Sequence, residues 1–276
     1  MRSTRVLAVV LFAACLAGRT WAQDRCPTFV NGGVNLRWDH CYGDGGTANR
    51  SFSCDTNSGT EVLVASFVSG VDIPLTNGMS AYIDIASSSG AWPDWWLVLS
   101  PACRTNVVTA NTAPDPAETV CQDLSATAVG GWTLNAGYNG DGTRQLRAAF
   151  GVPPGSEYTV PAGVEVLACR FRINHAKTVG TSSCGGCSTP LCIALSEIEI
   201  DTTGQPCVGA GQVFVIAGPA NGADSHLATW QGAAIGDTNR HPIMTEYFHF
   251  YTTDIACSGA TPTRRAAWGQ IKALYR

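Results

Sequence analysis

Val164-Glu165-Val166-Leu167-Ala168-Cys169-Arg170-Phe171-Arg172-Ile173-Asn174 is the stretch whose reading decides the fold class. Leu167, Cys169, Phe171 and Ile173 share one parity, and Arg170, Arg172 and Asn174 share the other. That period of two describes a strand with one buried and one solvated face. It predicts Phe171 and Ile173 in the core and both arginines in water. Further apolar runs of strand length lie at 62–68, 81–86, 95–99, 132–138, 145–152, 192–201, 213–217, 227–230 and 244–252. The chain's 30 glycines and 14 prolines separate many of them. About ten strands spaced by turn signals predict an all-β fold, a single β-sandwich of Ig-like or jelly-roll-like form. Within 192–201 the parity changes, from Ile193 and Leu195 to Ile198 and Ile200. Either a β-bulge near Ser196 re-aims the side chains, or both faces are buried.

The sandwich is expected over residues 61–257. Residues 1–22 have a basic start, a short apolar run and small residues before position 23, the pattern of a secretory signal peptide. That run is shorter than the roughly 20 apolar residues of a membrane span. Phe12-Ala13-Ala14-Cys15 loosely mimics a lipoprotein cleavage site, so Cys15 is either removed or lipidated. Residues 23–60 read as a loop-rich N-terminal segment. Residues 258–276 read as a linker and a short helix capped by Thr263, with Trp268, Ile271, Leu274 and Tyr275 in one apolar stripe. Such a helix docks on the sandwich or serves an outside interaction such as export or surface retention.

Eleven of the 12 cysteines follow the signal segment. In a secreted chain they read as disulfide candidates: Cys41, Cys54, Cys103, Cys121, Cys169, Cys184, Cys187, Cys192, Cys207 and Cys257. Cys41 with Cys54, and Cys103 with Cys121, would close local loops. An odd count leaves one cysteine unpaired, and Cys26, near the mature terminus, is the candidate for a free thiol or an intermolecular bridge. The cluster Cys184-Gly185-Gly186-Cys187…Cys192 has three readings: disulfides that pin a long loop, a zinc site, or a redox pair. Gly185-Gly186 is a poor helix start, which disfavours the last.

Other constellations are weaker. Asp55, Asn57 and Glu61 alternate oxygens as a calcium loop does, although Gly59 stands where a further ligand belongs; a turn before the next strand explains the same residues. Trp95 and Trp96 could stack on a sugar, or one could be core and one exposed. Glu197, Glu199 and Asp201 line one side of a strand, as paired glycosidase carboxylates or, more simply, as a solvated face. No H-E-x-x-H or G-x-S-x-G occurs, and no catalytic residue is assigned. Removing Arg2, Arg5 and Arg19 with the signal segment leaves 14 Lys and Arg of the original 17 against 21 Asp and Glu. A chain this acidic lacks the basic footprint of a nucleic-acid binder.

Residues 163–200 resemble a group of secreted, cysteine-rich bacterial proteins through "INHAKTVG…CxGC…PxC", with a later Thr229-Trp230-Gln231-Gly232 and an early WDHCYGDGGTANRSFSCDTNSG block. That resemblance implies no activity. A fainter one, carried by 146–152 followed by 164–173, is to cohesin-like sandwiches. It implies binding of a protein partner rather than catalysis, although the cysteine cluster departs from their pattern. The ending TPTRRAAWGQIKALYR is similar to short C-terminal tails of other secreted bacterial proteins. The expected role is a secreted or cell-surface, non-enzymatic binding or structural module with a protein or polysaccharide partner and no cofactor beyond calcium. The alternative is a carbohydrate-active protein.

Overall fold

The computed structural model describes residues 27–136, 141–203, 212–244 and 249–259. The described chain is almost entirely β, with one short 3-10 turn at Asp94–Trp96. In chain order the strands are β1 (Pro27–Phe29), β2 (Gly32–Trp38), β3 (Asn49–Arg50), β4 (Thr60–Ser69), β5 (Ile73–Ser87), β6 (Val108–Asn111), β7 (Val129–Ala136), β8 (Thr143–Gly151), β9 (Tyr158–Val160), β10 (Glu165–Asn174), β11 (Leu191–Thr202), β12 (Val213–Ala217), β13 (Leu227–Trp230), β14 (Ala234–Met244) and β15 (His249–Ser258).

Two sheets face each other. The larger runs β1-β12-β11-β5-β8-β7, with β13, β3 and β9 attached; the smaller runs β2-β4-β10-β6. Pairing is antiparallel except for β1 with β12 and β3 with β13. The core between them is continuous. Val34, Leu36, Trp38, Leu63, Phe67 and Phe171 come from the small sheet, and Ile83, Ile85, Leu195, Ile198 and Ile200 from the large one. The β14–β15 hairpin forms its own two-stranded sheet, and β15 packs across the outer side of β5 and β11.

The period-two reading of β10 holds at Phe171, Ile173 and the exposed Arg172. It fails twice. A register shift between Leu167 and Cys169 puts Val166, Ala168 and Cys169 in the main core. Leu167 instead joins a separate cluster with Val64 and the Cys41 and Cys121 sulfurs. Arg170, expected in water, is 1% exposed. Residues 113–121 cover it, and it donates to the Glu118 carboxylate and the Ala113 carbonyl. In β11 the register also shifts between Leu195 and Glu197, which puts the bulge at Ser196. Both faces are buried as well, so the two readings of this strand apply together.

Three other expectations change. Within the segment expected to be loop-rich, the described residues 27–60 contribute a strand to the sandwich, because β2 pairs with β4 and buries Val34, Leu36 and Trp38. Residues 95–99 form no strand: Trp95 and Trp96 stand on the 3-10 turn, both buried. The run at 244–252 spans the end of β14 and the start of β15 rather than one strand. The C-terminal helix, with Trp268, Ile271 and Leu274, lies outside the described residues.

The disulfides join distant segments: Cys41–Cys121, Cys54–Cys187, Cys103–Cys184 and Cys192–Cys257. The local pairs Cys41–Cys54 and Cys103–Cys121 do not form, because each of these cysteines faces a segment brought over by the fold. Cys184 and Cys187 bond neither to each other nor to Cys192, so the cluster is neither a redox pair nor a zinc site. Cys169 is no bridge partner but a buried free thiol. Burial pushes its pKa up to about 12, partly opposed by Arg170, so it is an inert core residue. Cys26 and Cys207 lie outside the described residues. The four disulfides among the described residues place the chain outside the reducing cytosol. No described helix is long and apolar enough to cross a membrane.

Candidate functional site

The residues singled out in the sequence do not converge on one site. Trp95 and Trp96 are 0% and 3% exposed and belong to an aromatic cluster with Trp230. The Arg104 guanidinium lies over the Trp95 ring at 3.4 Å and donates to the carbonyls of Trp95, Asn174 and Ala176. With no carboxylate partner among these bonds, burial lowers its pKa to about 9. These rings are core, not a sugar platform.

Glu197 and Glu199 are 0% and 5% exposed, so the expectation of a solvated carboxylate face fails. They sit on the outer side of β11, where Tyr82 donates its hydroxyl to Glu199 at 2.8 Å and Arg147 lies 4.4 Å over the Tyr82 ring. Burial, and then the charge of Glu199, holds the Tyr82 hydroxyl far above its usual range. One rung along, Asp84 accepts from Ser196, Gln145 and the Thr253 backbone N–H. Burial raises the Asp84 pKa against the opposing hydrogen bonds, that from Ser196 first. Beside this network, Ser80, Gly131, Thr133 and Ala149 line a shallow depression of ≈ 380 Å³. Glu199 and Asp84 serve the fold's own donors, and Asp84 also lines, with Asp237 and Asp254, a cavity of ≈ 250 Å³ against the β14–β15 hairpin.

Asn57 and Glu61 of the candidate calcium loop are engaged by other partners. Asn57 Oδ1 accepts from the Thr178 and Val179 backbone N–H groups. Glu61 turns inward to Arg50 and to His175 Nε2, at 2.9 Å from the latter. The His175 ring stacks on Phe52 with centroids 3.8 Å apart.

Among the described residues, a pair of loops at one end of the sandwich is both exposed and densely hydrogen-bonded. The first leaves β2 at Trp38 and returns at Thr47, closed by backbone bonds between these two residues of 2.7 and 3.0 Å. The second, residues 112–125, leaves β6 and runs beside β10, where Leu167 N–H donates to the Gln122 carbonyl. The Cys41–Cys121 disulfide joins them.

Three carboxylates fix their backbones. Asp44 accepts from the N–H groups of Thr119, Val120 and Cys121 at 2.7, 3.0 and 2.9 Å, and from the Thr119 hydroxyl. Burial alone would raise the Asp44 pKa, but these bonds outweigh it and hold it below the usual value. Glu165 accepts from the Tyr42 and Gly43 N–H groups at 3.0 and 2.8 Å, and from Asn35 and Ser66. Glu118 accepts from Cys41 N–H at 3.0 Å and pairs with buried Arg170. A Cβ on Gly43 would stand 2.7 Å from the Val120 side chain and 2.9 Å from Glu165, so only glycine lets the loops approach this closely.

What this framework displays is apolar. Tyr42 is 38% exposed and Val120 52% exposed. Arg37, anchored on the carbonyls of Leu36, Ser225 and Leu227, lies 4.9 Å from the Tyr42 ring centroid. The early WDHCYGDGG block contained half of this platform. Its other half, around Thr119-Val120-Cys121, carried no signal apart from the cysteine, because the two halves meet only through the fold.

No protein-family model matches the chain, and no curated protein matches it in sequence. Among solved structures, a chain from a complex of CaCohA2 with a variant of CaDoc0917 is 10% identical, covering 67% of this chain and 99% of that one, with a TM-score of 0.26. The pilus backbone protein RrgB of Streptococcus pneumoniae is 8% identical, covering 83% of this chain and 59% of that one, with a TM-score of 0.22. Scores this low carry no argument about role.

Proposed function

We propose that this chain is a secreted or cell-surface, non-enzymatic binding module that engages a protein partner through the loop pair 38–47 and 112–125. The observation that supports this reading is the pairing of rigid backbone with exposed apolar tips. Tyr42 and Val120 project from loops whose amides are held by three carboxylates and a disulfide. Surface loops are ordinarily mobile and polar. A loop fixed before contact loses less entropy on binding, and a tyrosine anchor beside an aliphatic side chain suits the apolar centre of a protein interface. An aliphatic neighbour suits a saccharide less well, since sugars stack on flat rings.

The test is a photo-crosslinking side chain installed at Tyr42, at Val120 and, as a control, at the exposed Val71. The modules are exposed to the extracellular fraction of the producing cells. The expected result is one crosslinked protein at positions 42 and 120 and none at 71. Equal capture at all three positions, or capture of polysaccharide alone, contradicts the reading. Tyr42→Ser with Val120→Ser should abolish the crosslink while leaving the melting temperature within a few degrees.

A further inference from the structure

Beneath the same loop pair, three side chains of metal-ligating type converge. His40 Nδ1 lies 3.9 Å from Asp115 Oδ2 and 3.9 Å from Glu118 Oε1, and all three atoms fall within 4.8 Å of one another. The His40 side chain is 37% exposed, yet its Nδ1 atom is buried and makes no hydrogen bond. A separation of 3.9 Å is too long for a hydrogen bond. It is within the roughly 4.2 Å that two metal–ligand bonds of about 2.1 Å can span. An ion between these atoms would satisfy the orphaned nitrogen and offset two carboxylates that face the same space.

We propose that His40 Nδ1, Asp115 Oδ2 and Glu118 Oε1 form a three-ligand site for a divalent transition-metal ion of the zinc class. One imidazole and two carboxylates suit zinc, or a neighbouring first-row ion, better than calcium, which takes oxygen ligands. The ligands are already oriented by their own partners. Asp115 Oδ1 accepts from Ala117 N–H at 3.0 Å, which turns Oδ2 toward His40. Glu118 N–H donates to the Asp115 carbonyl at 3.0 Å, and this turn brings the two carboxylates to one side. Glu118 Oε1 accepts from Cys41 N–H, and its other oxygen pairs with Arg170. Such outer partners fix the aim of a ligand. A tetrahedral site places its ligand atoms about 3.4 Å apart, so each has to move inward by only about half an ångström to one ångström. The His40 and Asp115 side chains are 37% and 29% exposed, which gives an ion access from solvent. The ion would tie the two loops together beside the Cys41–Cys121 bridge, and it stands whether or not the loops bind a partner.

The test uses the mature, disulfide-bonded protein stripped of metal and titrated calorimetrically with zinc chloride. The expected result is one equivalent bound at this site, with a raised melting temperature. His40→Ala and Asp115→Asn should each weaken that event at least tenfold, while Glu157→Gln, an acid on a distant loop, leaves it unchanged. Melting temperatures of the metal-free variants check that the fold survives. Cobalt(II) in place of zinc gives a second readout, an absorption band of tetrahedral intensity that His40→Ala abolishes. No zinc binding by the wild type, or binding undiminished in both ligand variants, overturns the proposal.

Discussion

On the central strands β10 and β11 both faces are largely buried, but by different chemistry. On β11 the inner face carries Ile193, Leu195, Ile198 and Ile200, all 0% exposed. Its outer face carries Ser196, Glu197 and Glu199, buried just as thoroughly but among hydroxyls and charges. On β10 the inner face carries Phe171 and Ile173, while the outer face carries Arg170 under a loop and Arg172 in water. Side-chain period tells which face a residue points to; what lies across that face decides whether it is buried. An apolar face tolerates any neighbour of the right shape. A polar face needs partners for its charged groups, and Arg170 and Asp84 find theirs on the covering loop and hairpin.

That contrast can be broken in graded steps. Arg170→Ala should cost the most, about 3–5 kcal/mol, because it leaves Glu118 buried and unpaired. Urea melts check this, and a cost below about 1 kcal/mol would mean the loop over β10 opens to water. Ile198→Ala on the inner face should cost about 2–5 kcal/mol through lost burial and a cavity. Asp84→Ala on the outer face of β5 should cost about 1–3 kcal/mol by stranding the Ser196, Gln145 and Thr253 donors.

Asp84 also sharpens the contrast through pH. Burial raises its folded pKa above the ordinary 3.8. The folded state therefore holds this proton more tightly than the unfolded chain does. Its contribution to stability is fully present below the unfolded pKa and is lost as pH rises through the folded value. Asp84→Asn should remove that decline, and stability curves recorded from about pH 3.5 upward would show it as a flatter profile. The smallest effect belongs to Arg172→Ala, within about 0.5 kcal/mol for an exposed side chain. Equal costs at 170 and 172 would erase the distinction between covered and open outer faces.

The inner faces were legible in the sequence because hydrophobic alternation records them directly. Phe171, Ile173 and the parity change at Ser196 were all readable from one strand at a time. Arg170 and Glu199 were misread as solvated because their partners come from residues 52 positions earlier in the first case and from Tyr82 on β5 in the second. The disulfide partners were hidden for the same reason: spacing favours neighbours, whereas Cys41 and Cys121 are 80 residues apart. The loop platform was invisible as a unit. Its acids, Asp44, Glu118 and Glu165, belong to three segments and share no local motif.

The central claim is that these three carboxylates hold the exposed loop pair in one conformation. Amide hydrogen exchange, followed residue by residue by NMR on the mature protein, tests it most directly. The account predicts that the surface amides of Tyr42, Gly43, Thr119, Val120 and Cys121 exchange slowly, as strand amides do, and that Asp44→Asn accelerates the last three selectively. Exchange of all five at the rate of an open loop would contradict it.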